Sequence, residues 1–416
     1  MVEECVLDEV FDRFLSGNCL FKDREILRYD YVPEKLPHRE EQIRHLGEIV
    51  APILKGSRSS NVFIYGKTGT GKTAVVKYVS NRLVQRAHDF GGLVKVCYVN
   101  CRLVGTEYRV FSSLCNSTGV AVPFTGLALG EIFERFKASL DSYKLFLFII
   151  LDEIDALVKE RGDFLLYELT RMNETLSHSK TSIVGISNDL RFKEFLDPRV
   201  LSCLSEEEIV FRPYDAAELQ NILWDRARLS FHDGVLLDGA VSLCAALAAA
   251  EHGDARRALD LLRVSGEIAE REGSPTIMDD HVRRAEKSIE RDRTTEALKN
   301  LPPHSKMVLY SVYSLNKAGV HSVATGDTYE VYSEICGELG LSPLTQRRVS
   351  GLINELDVLG LLNSRVVSMG RYGRTKKTRL GVARSLIRGA IASDDRLQNL
   401  MNYVPKCLPA TSSSGN

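Results

Sequence analysis

Eight consecutive residues, Gly66, Lys67, Thr68, Gly69, Thr70, Gly71, Lys72 and Thr73, follow the spacing G-x-x-x-x-G-K-[ST]. The chemistry this spacing serves is phosphate binding. Glycines let the backbone turn tightly and aim successive N–H groups at an anion. Lys72 is long enough to reach β- and γ-phosphates, and the Thr73 hydroxyl can be offered to Mg2+. Ala74 extends the run expected to touch nucleotide. Further along the chain, Asp152 and Glu153 form an acidic pair behind an apolar run. Behind a phosphate loop such a pair has a division of labour. Asp152 holds Mg2+ through its water shell, and Glu153 orients and polarises the attacking water. The expected ligands are ATP or ADP with Mg2+, and the expected reaction is ATP hydrolysis.

These groups need elements to position them. Residues 61–65 are an apolar, β-rich run, and residues 74–79 continue with helical spacing, so the loop sits between a strand and a helix. The N-terminus of that helix adds partial positive charge beneath a bound phosphate. Further apolar runs at 94–99, 146–151, 181–186 and 208–211 predict strands alternating with helices. Continuous apolar strands between helices indicate a parallel sheet covered on both faces, with functional residues at the carboxyl ends of its strands. The loop, the acidic pair and Asn188 all fall at such ends. Upstream, Pro33 and Pro37 keep the chain extended before a helix near His38, and this stretch could wrap a nucleotide base.

After Pro213 the pattern is helical only, with helices expected at 216–229, 238–251, 254–272 and 279–291 and a connection at 291–303. Residues 304–416 read as a winged helix-turn-helix. Helices are expected at 305–315 and 327–339, and a third is capped by Ser342 with Pro343 in its first turn. The third has a single apolar stripe at 349, 352, 353, 356 and 359, with Gln346, Arg347, Ser350 and Asn354 on the opposite face. Those side chains suit base edges or phosphates. Two strands, 361–367 and 378–382, then flank a tip containing Arg371, Tyr372, Arg374 and Lys376. Residues 365–380 carry basic side chains at 365, 371, 374, 376, 377 and 379 and no acid. Residues 301–416 hold 14 basic and 8 acidic side chains, in a chain whose formal net charge is −1. A cationic surplus confined to one domain is a nucleic-acid footprint; the other reading is a winged helix that docks on protein.

The composition is that of a globular chain, and its 416 residues suit two to four domains. The nine cysteines include no Cys-x-x-Cys pair, and Cys97 and Cys101 lack a second pair to complete a zinc site. Scattered thiols fit a reducing compartment. The first residues lack a signal-peptide pattern, and the most apolar run, 145–151, is too short to cross a bilayer.

Five motifs in order now carry a family resemblance: the glycine loop, Leu151-Asp152-Glu153-Ile154-Asp155, Ile186-Ser187-Asn188, Asp197-Pro198-Arg199-Val200 and Gly253-Asp254-Ala255-Arg256-Arg257-Ala258-Leu259-Asp260. The chain resembles the AAA+ replication initiators, in particular the archaeal family related to the largest origin recognition subunit and to cell division control protein 6. The resemblance implies an α/β AAA+ ATPase domain at 1–212 with an N-terminal helical extension over 1–20. It implies an all-α lid at 213–300 and a winged helix at 301–410; the composition of 411–416 predicts a disordered tail. It gives Asn188 the role of a polar sensor near the γ-phosphate and Arg256, with Arg257 as competitor, that of the lid arginine. Arg199 stands where an arginine finger is expected, or equally pairs with an acid of its own domain. Val32, Tyr214 and Arg226 join the expected nucleotide contacts. Phe124 and Thr125 resemble an inserted element that touches DNA, although the residues alone make Phe124 a core side chain. The implied function is ATP-dependent replication initiation. Its implied partners are double-stranded origin DNA, the replicative helicase and possible paralogous subunits, in the cytoplasm at the nucleoid and away from membrane. The implied ATPase is slow and acts as a switch. A loader or remodelling ATPase, and a winged-helix regulator using nucleotide only structurally, are the alternatives. Glu153 and Asn188 speak against the last, because binding alone needs neither.

Overall fold

A computed structural model describes residues 11, 19–123, 125–204, 207–368, 374–394, 396–401 and 403–406. The N-terminal helix expected over 1–20, Phe124, Arg371, Tyr372, the side chain of Arg374 and the tail lie outside the described residues, apart from Phe11, Cys19 and Leu20. The chain divides into two compact units, residues 1–285 and 286–416.

The first unit is built on five parallel strands: β1 (Val62–Gly66), β2 (Val94–Asn100), β3 (Phe146–Asp152), β4 (Lys180–Ser187) and β5 (Glu207–Phe211). Their order in the sheet is β2-β3-β4-β1-β5. Every residue of β3 is buried, which a strand covered on both faces requires. The period of two deals its side chains to two cores. Leu147, Ile149 and Leu151 pack with α4 (Glu107–Ser117) and α5 (Leu129–Ser142) through Phe111, Leu114, Ile132 and Phe136. Phe146, Phe148 and Ile150 pack with α1 (Glu40–Val50) and α2 (Lys72–Asp89) through Leu46, Val50, Val75 and Val79. Asn100 pairs in register with Asp152, and Tyr65 with Ser187. That register lines up the strand ends beside the loop after β1. The short α3 (Cys101–Val104) follows β2, α6 (Ile154–Arg161) and α7 (Phe164–Arg171) follow β3, and α8 (Pro198–Leu204) precedes β5.

The lid packs α9 (Ala216–Ser230), α10 (Asp238–Ala250) and α11 (Ala255–Glu272). Asp215 and Glu218 form a capping box on α9, and the Asp254 carboxylate caps α11 through the Arg256 and Arg257 N–H groups. Helix α12 (Asp279–Asn300) runs nine residues beyond the expected stop, so the segment read as a connection is mostly helix. No glycine or proline interrupts 291–300, and the breaker pair Pro302-Pro303 comes only after it.

The second unit carries α13 (Pro303–Lys317), β6 (Val323–Ala324), α14 (Thr325–Glu338), α15 (Gln346–Val358), β7 (Leu362–Ser368), β8 (Arg374–Leu380) and α16 (Arg384–Ala392), with a sheet ordered β6-β8-β7. Three expectations are corrected here. Helix α15 starts at Gln346 with Thr345 as its cap, not at Pro343 with Ser342. The Leu344 N–H is taken by the Tyr332 hydroxyl at 3.1 Å, which holds that residue outside the helix. The stripe ends at Leu356; Leu359 is 55% exposed, because it follows the helix as its C-cap. Strand β8 starts at Arg374 and not at 378, since Thr375, Lys376 and Lys377 pair with Val367, Val366 and Arg365. Lys376 therefore belongs to a strand and not to the tip.

Candidate nucleotide and nucleic-acid sites

The glycine loop connects β1 to α2 as expected. Gly69 and Gly71 have φ of 69° and 88°, the left-handed region that favours glycine. Lys72 is buried, and its ammonium donates to the Gly66 and Lys67 carbonyls at 2.8 and 2.7 Å. Burial pushes it down to about 8, with Asp152 opposing and Arg256 reinforcing the shift. Thr70 is buried and donates to the Lys67 carbonyl, while Lys67 and Thr68 are exposed on the crest. Ala74 lies half-buried in the first turn of α2.

Thr73 Oγ1 donates to Asp152 Oδ2 at 2.8 Å, and the Tyr98 hydroxyl donates to the same oxygen at 2.7 Å. A threonine hydroxyl and a carboxylate in contact are a hard oxygen pair, and the donor set fits Mg2+. Glu153 is displaced from regular geometry, with φ 52° and ψ 41°. Its carboxylate lies 3.5 Å from Asn100 Nδ2 and 3.5 Å from Arg102 Nη1. The Asn188 N–H donates to Asp155 Oδ1 at 3.2 Å, and the Ser187 hydroxyl to the same atom at 3.1 Å. Asp155 thus ties the end of β4 to the start of α6 and holds Asn188 at the common strand edge.

The lid closes onto this loop. The Ala255 N–H donates to the Gly69 carbonyl at 3.1 Å. The Asp254 carboxylate would lie 1.7 Å from a Cβ at Gly69, so only glycine fits there. Arg256, exposed in the first turn of α11, is close enough to bear on Lys72. Arg257 is buried and paired with Glu251 at 3.1 Å, which occupies it within the lid. Arg199 is exposed and paired with Asp197 at 3.1 Å, the second of its two sequence readings. Tyr214 is buried, its hydroxyl 2.8 Å from a Cβ placed on Gly71. Buried Arg226 donates to the Ile26 and Tyr31 carbonyls at 3.2 and 3.1 Å and lies over the Tyr31 ring. It fixes the strap that leads to exposed Val32.

Sequence reasoning gave no role to Arg39, Tyr98, Asn100, Asp155 or Asp254. Asp155 and Asp254 stood inside quoted motifs; Tyr98 and Asn100 stood at the end of an expected strand, which was a usable signal. Replacing Arg256 with alanine is expected to loosen the lid's grip on nucleotide. Limited proteolysis with and without ATP should show ATP protecting the lid in the wild type and less so in the variant. Equal protection would remove Arg256 from the site.

In the second unit Gln346, Arg347 and Asn354 are exposed on α15 and Ser350 is half-buried. The Lys376 ammonium donates to Asn354 Oδ1, so the wing and the polar helix face are joined and not separate surfaces. Alternation turns Arg365, Lys377 and Arg379 to the other face of the hairpin, where Arg365 and Lys377 stand directly opposite. Like charges in that position repel, and no acid pairs with them among the described residues. In the first unit Thr125 is exposed. Its flanks are fastened by Val122 and Leu127 against the core and by the Tyr108 hydroxyl on the Pro123 carbonyl at 2.6 Å.

No helix among the described residues is long and apolar enough to cross a membrane. Three family models match in series: an AAA domain over residues 55–189, a Cdc6 AAA+ ATPase-type lid domain over 220–287 and a CDC6 C-terminal winged helix domain over 296–390. An ORC1-type DNA replication protein of Thermococcus onnurineus is 51% identical over 96% of this chain and 97% of its own. ORC1-type DNA replication protein 1 of Archaeoglobus fulgidus is 52% identical over 95% of this chain and 96% of its own. Among solved structures, the Aeropyrum pernix ORC1 protein in complex with DNA is 49% identical. It superposes with a TM-score of 0.83, covering 92% of this chain and 99% of that one. With nucleotide-loop, lid and winged-helix parts each matched in order, the chain belongs to the ORC1-type DNA replication proteins, AAA+ ATPases with a C-terminal winged helix.

Proposed function

We propose that this replication initiator binds double-stranded origin DNA through its winged helix and uses ATP as a slow switch. The observation that carries the switch is the lid seated on the phosphate loop, with Ala255 bonded to Gly69 and Asp254 filling the space beside it. A nucleotide whose phosphates lie at that seam changes what the lid rests on. In this reading Lys72, the loop N–H groups and Arg256 grip the phosphates. Thr73 and Asp152 hold Mg2+, which would neutralise phosphate charge when bound. Glu153 and Asn188 orient the attacking water, Arg199 leaves Asp197 to reach a neighbouring subunit, and the Arg226 strap presents Val32 to the base. Helicase recruitment and pairing with paralogous subunits follow the ATP-bound arrangement.

On DNA, Gln346, Arg347, Ser350 and Asn354 read the major groove, while Arg371, Tyr372 and Arg374 enter the minor groove, where negative potential attracts arginine. Lys376, Arg365, Lys377 and Arg379 meet phosphate. Phe124 and Thr125 make a second contact from the ATPase domain. That the Aeropyrum relative is described in complex with DNA supports this reading. Arg371→Ala is expected to cost about 1–3 kcal/mol on origin duplex and to relax specificity. Lys377→Ala is expected to weaken all duplexes alike and to lower the salt slope by about one. Affinity against salt, on origin and random duplex, measures both. If Arg371→Ala and Phe124→Ala both bind origin DNA like the wild type, the two-contact reading is wrong and the wing is a protein dock. Mapping chromosomal binding sites tests the function itself: discrete sites beside origins are expected, and sites scattered without relation to origins would refute it.

A further inference from the structure

Arg39, the residue before α1, is 1% exposed. A guanidinium buried to that degree is normally paired with an acid. Here, among the described residues, it has only carbonyls, rings and the neutral Tyr214 hydroxyl. Nε donates to the Thr70 carbonyl at 2.9 Å, Nη1 to the His38 carbonyl at 3.0 Å and Nη2 to the Arg212 carbonyl at 2.7 Å. The Tyr214 ring lies 3.7 Å from the guanidinium carbon and the Phe211 ring 5.5 Å away. Glu218, whose charge is felt at Arg39, is already held by Arg212 at 2.9 Å and by the Asp215 N–H at 3.0 Å.

The partners come from three places. Thr70 is in the phosphate loop, Arg212 directly follows β5, and Tyr214 enters the lid with its hydroxyl against Gly71. Three carbonyl bonds and two ring faces hold the guanidinium and solvate the charge, but they do not cancel it. One net positive charge therefore remains beneath Thr70 and Gly71, on the protein side of the loop whose N–H groups cradle phosphate.

We propose that Arg39 is a positioning residue of the nucleotide site: it anchors the phosphate loop by the Thr70 carbonyl and keeps beneath it a buried positive charge that the nucleotide's phosphates balance. This rests on the phosphate-loop reading of residues 66–73. Without nucleotide the buried charge opposes folding, and with nucleotide it favours the bound state. Its removal should therefore spare the empty protein and penalise the liganded one, the reverse of a simple structural bolt.

The test uses the full chain stripped of nucleotide, as wild type, Arg39→Met and Arg39→Lys. Thermal midpoints are taken with and without saturating Mg-ADP, and a fluorescent ADP gives the Kd. Arg39→Met is expected to keep or raise the nucleotide-free midpoint, to weaken ADP at least tenfold and to shrink the ADP-induced shift. Arg39→Lys, which restores charge without the fork, should weaken ADP less. A lowered nucleotide-free midpoint with ADP binding within twofold of the wild type overturns the proposal. If Arg39→Met does not fold, Arg39→Lys decides: a threefold or larger loss of ADP affinity supports the role, and binding within twofold overturns it. Lys72→Ala is the control for the site, because ADP binding unchanged by that substitution would refute the phosphate-loop reading rather than the role of Arg39.

Discussion

Lys72→Ala is expected to abolish tight nucleotide binding. Among the described residues the wild-type ammonium, which is buried, is bonded only to its own loop at Gly66 and Lys67. A bound polyphosphate replaces those neutral carbonyls with anionic oxygens, and charge-assisted bonds of this kind are the strong ones. Losing a buried cation that makes two of them costs about 3 kcal/mol or more, over a hundredfold in Kd. The variant should otherwise fold normally, because a methyl group there leaves behind no unpaired charge. Equilibrium binding of a fluorescent nucleotide measures the effect. Wild-type affinity would mean that the loop does not hold phosphate in this protein.

Glu153→Gln should separate binding from hydrolysis. The amide keeps the length and shape of the side chain and loses the charge that polarises water. Hydrolysis is expected to fall by about 10²–10⁴-fold, the range for removal of a general base, with nucleotide affinity nearly unchanged. A single-turnover measurement removes product release from the comparison. A variant that hydrolyses at the wild-type rate would take Glu153 out of the water-activating role. Rapid, continuous wild-type turnover under excess ATP would instead favour a loader over a switch.

The phosphate loop and acidic pair were legible because each is local. Strand, glycine turn and helix are consecutive, and the apolar run 146–151 announces a strand buried on both faces. The parallel sheet followed from five such runs, and its register then brought Asp152 and Asn188 to one edge. Arg39 was not legible. Its partners Thr70 and Arg212 lie 31 and 173 residues away, and a single arginine before a helix looks like any other. The closure of Asp254 on Gly69 was hidden in the same way, since the motif quoted around Asp254 says nothing of what it touches. Lys376 was misplaced for a different reason. Thr-Lys-Lys reads as an exposed tip by composition, and only the pairing of β8 with β7 makes it strand and turns Lys376 to Asn354. At the start of α15 the sequence pointed to Ser342 as the cap; Thr345 caps the helix instead, with the Tyr332 hydroxyl holding Leu344 outside it.

The backbone at Glu153, with φ 52° and ψ 41°, carries a consequence for how this chain can change over generations. A non-glycine residue held in that region costs about 1–2 kcal/mol, which glycine does not incur. At this one codon, drift toward a sturdier fold and selection for turnover point in opposite directions. On the water-activating role proposed for Glu153, a lineage released from hydrolysis would gain thermal tolerance by putting glycine here and would keep its grip on nucleotide.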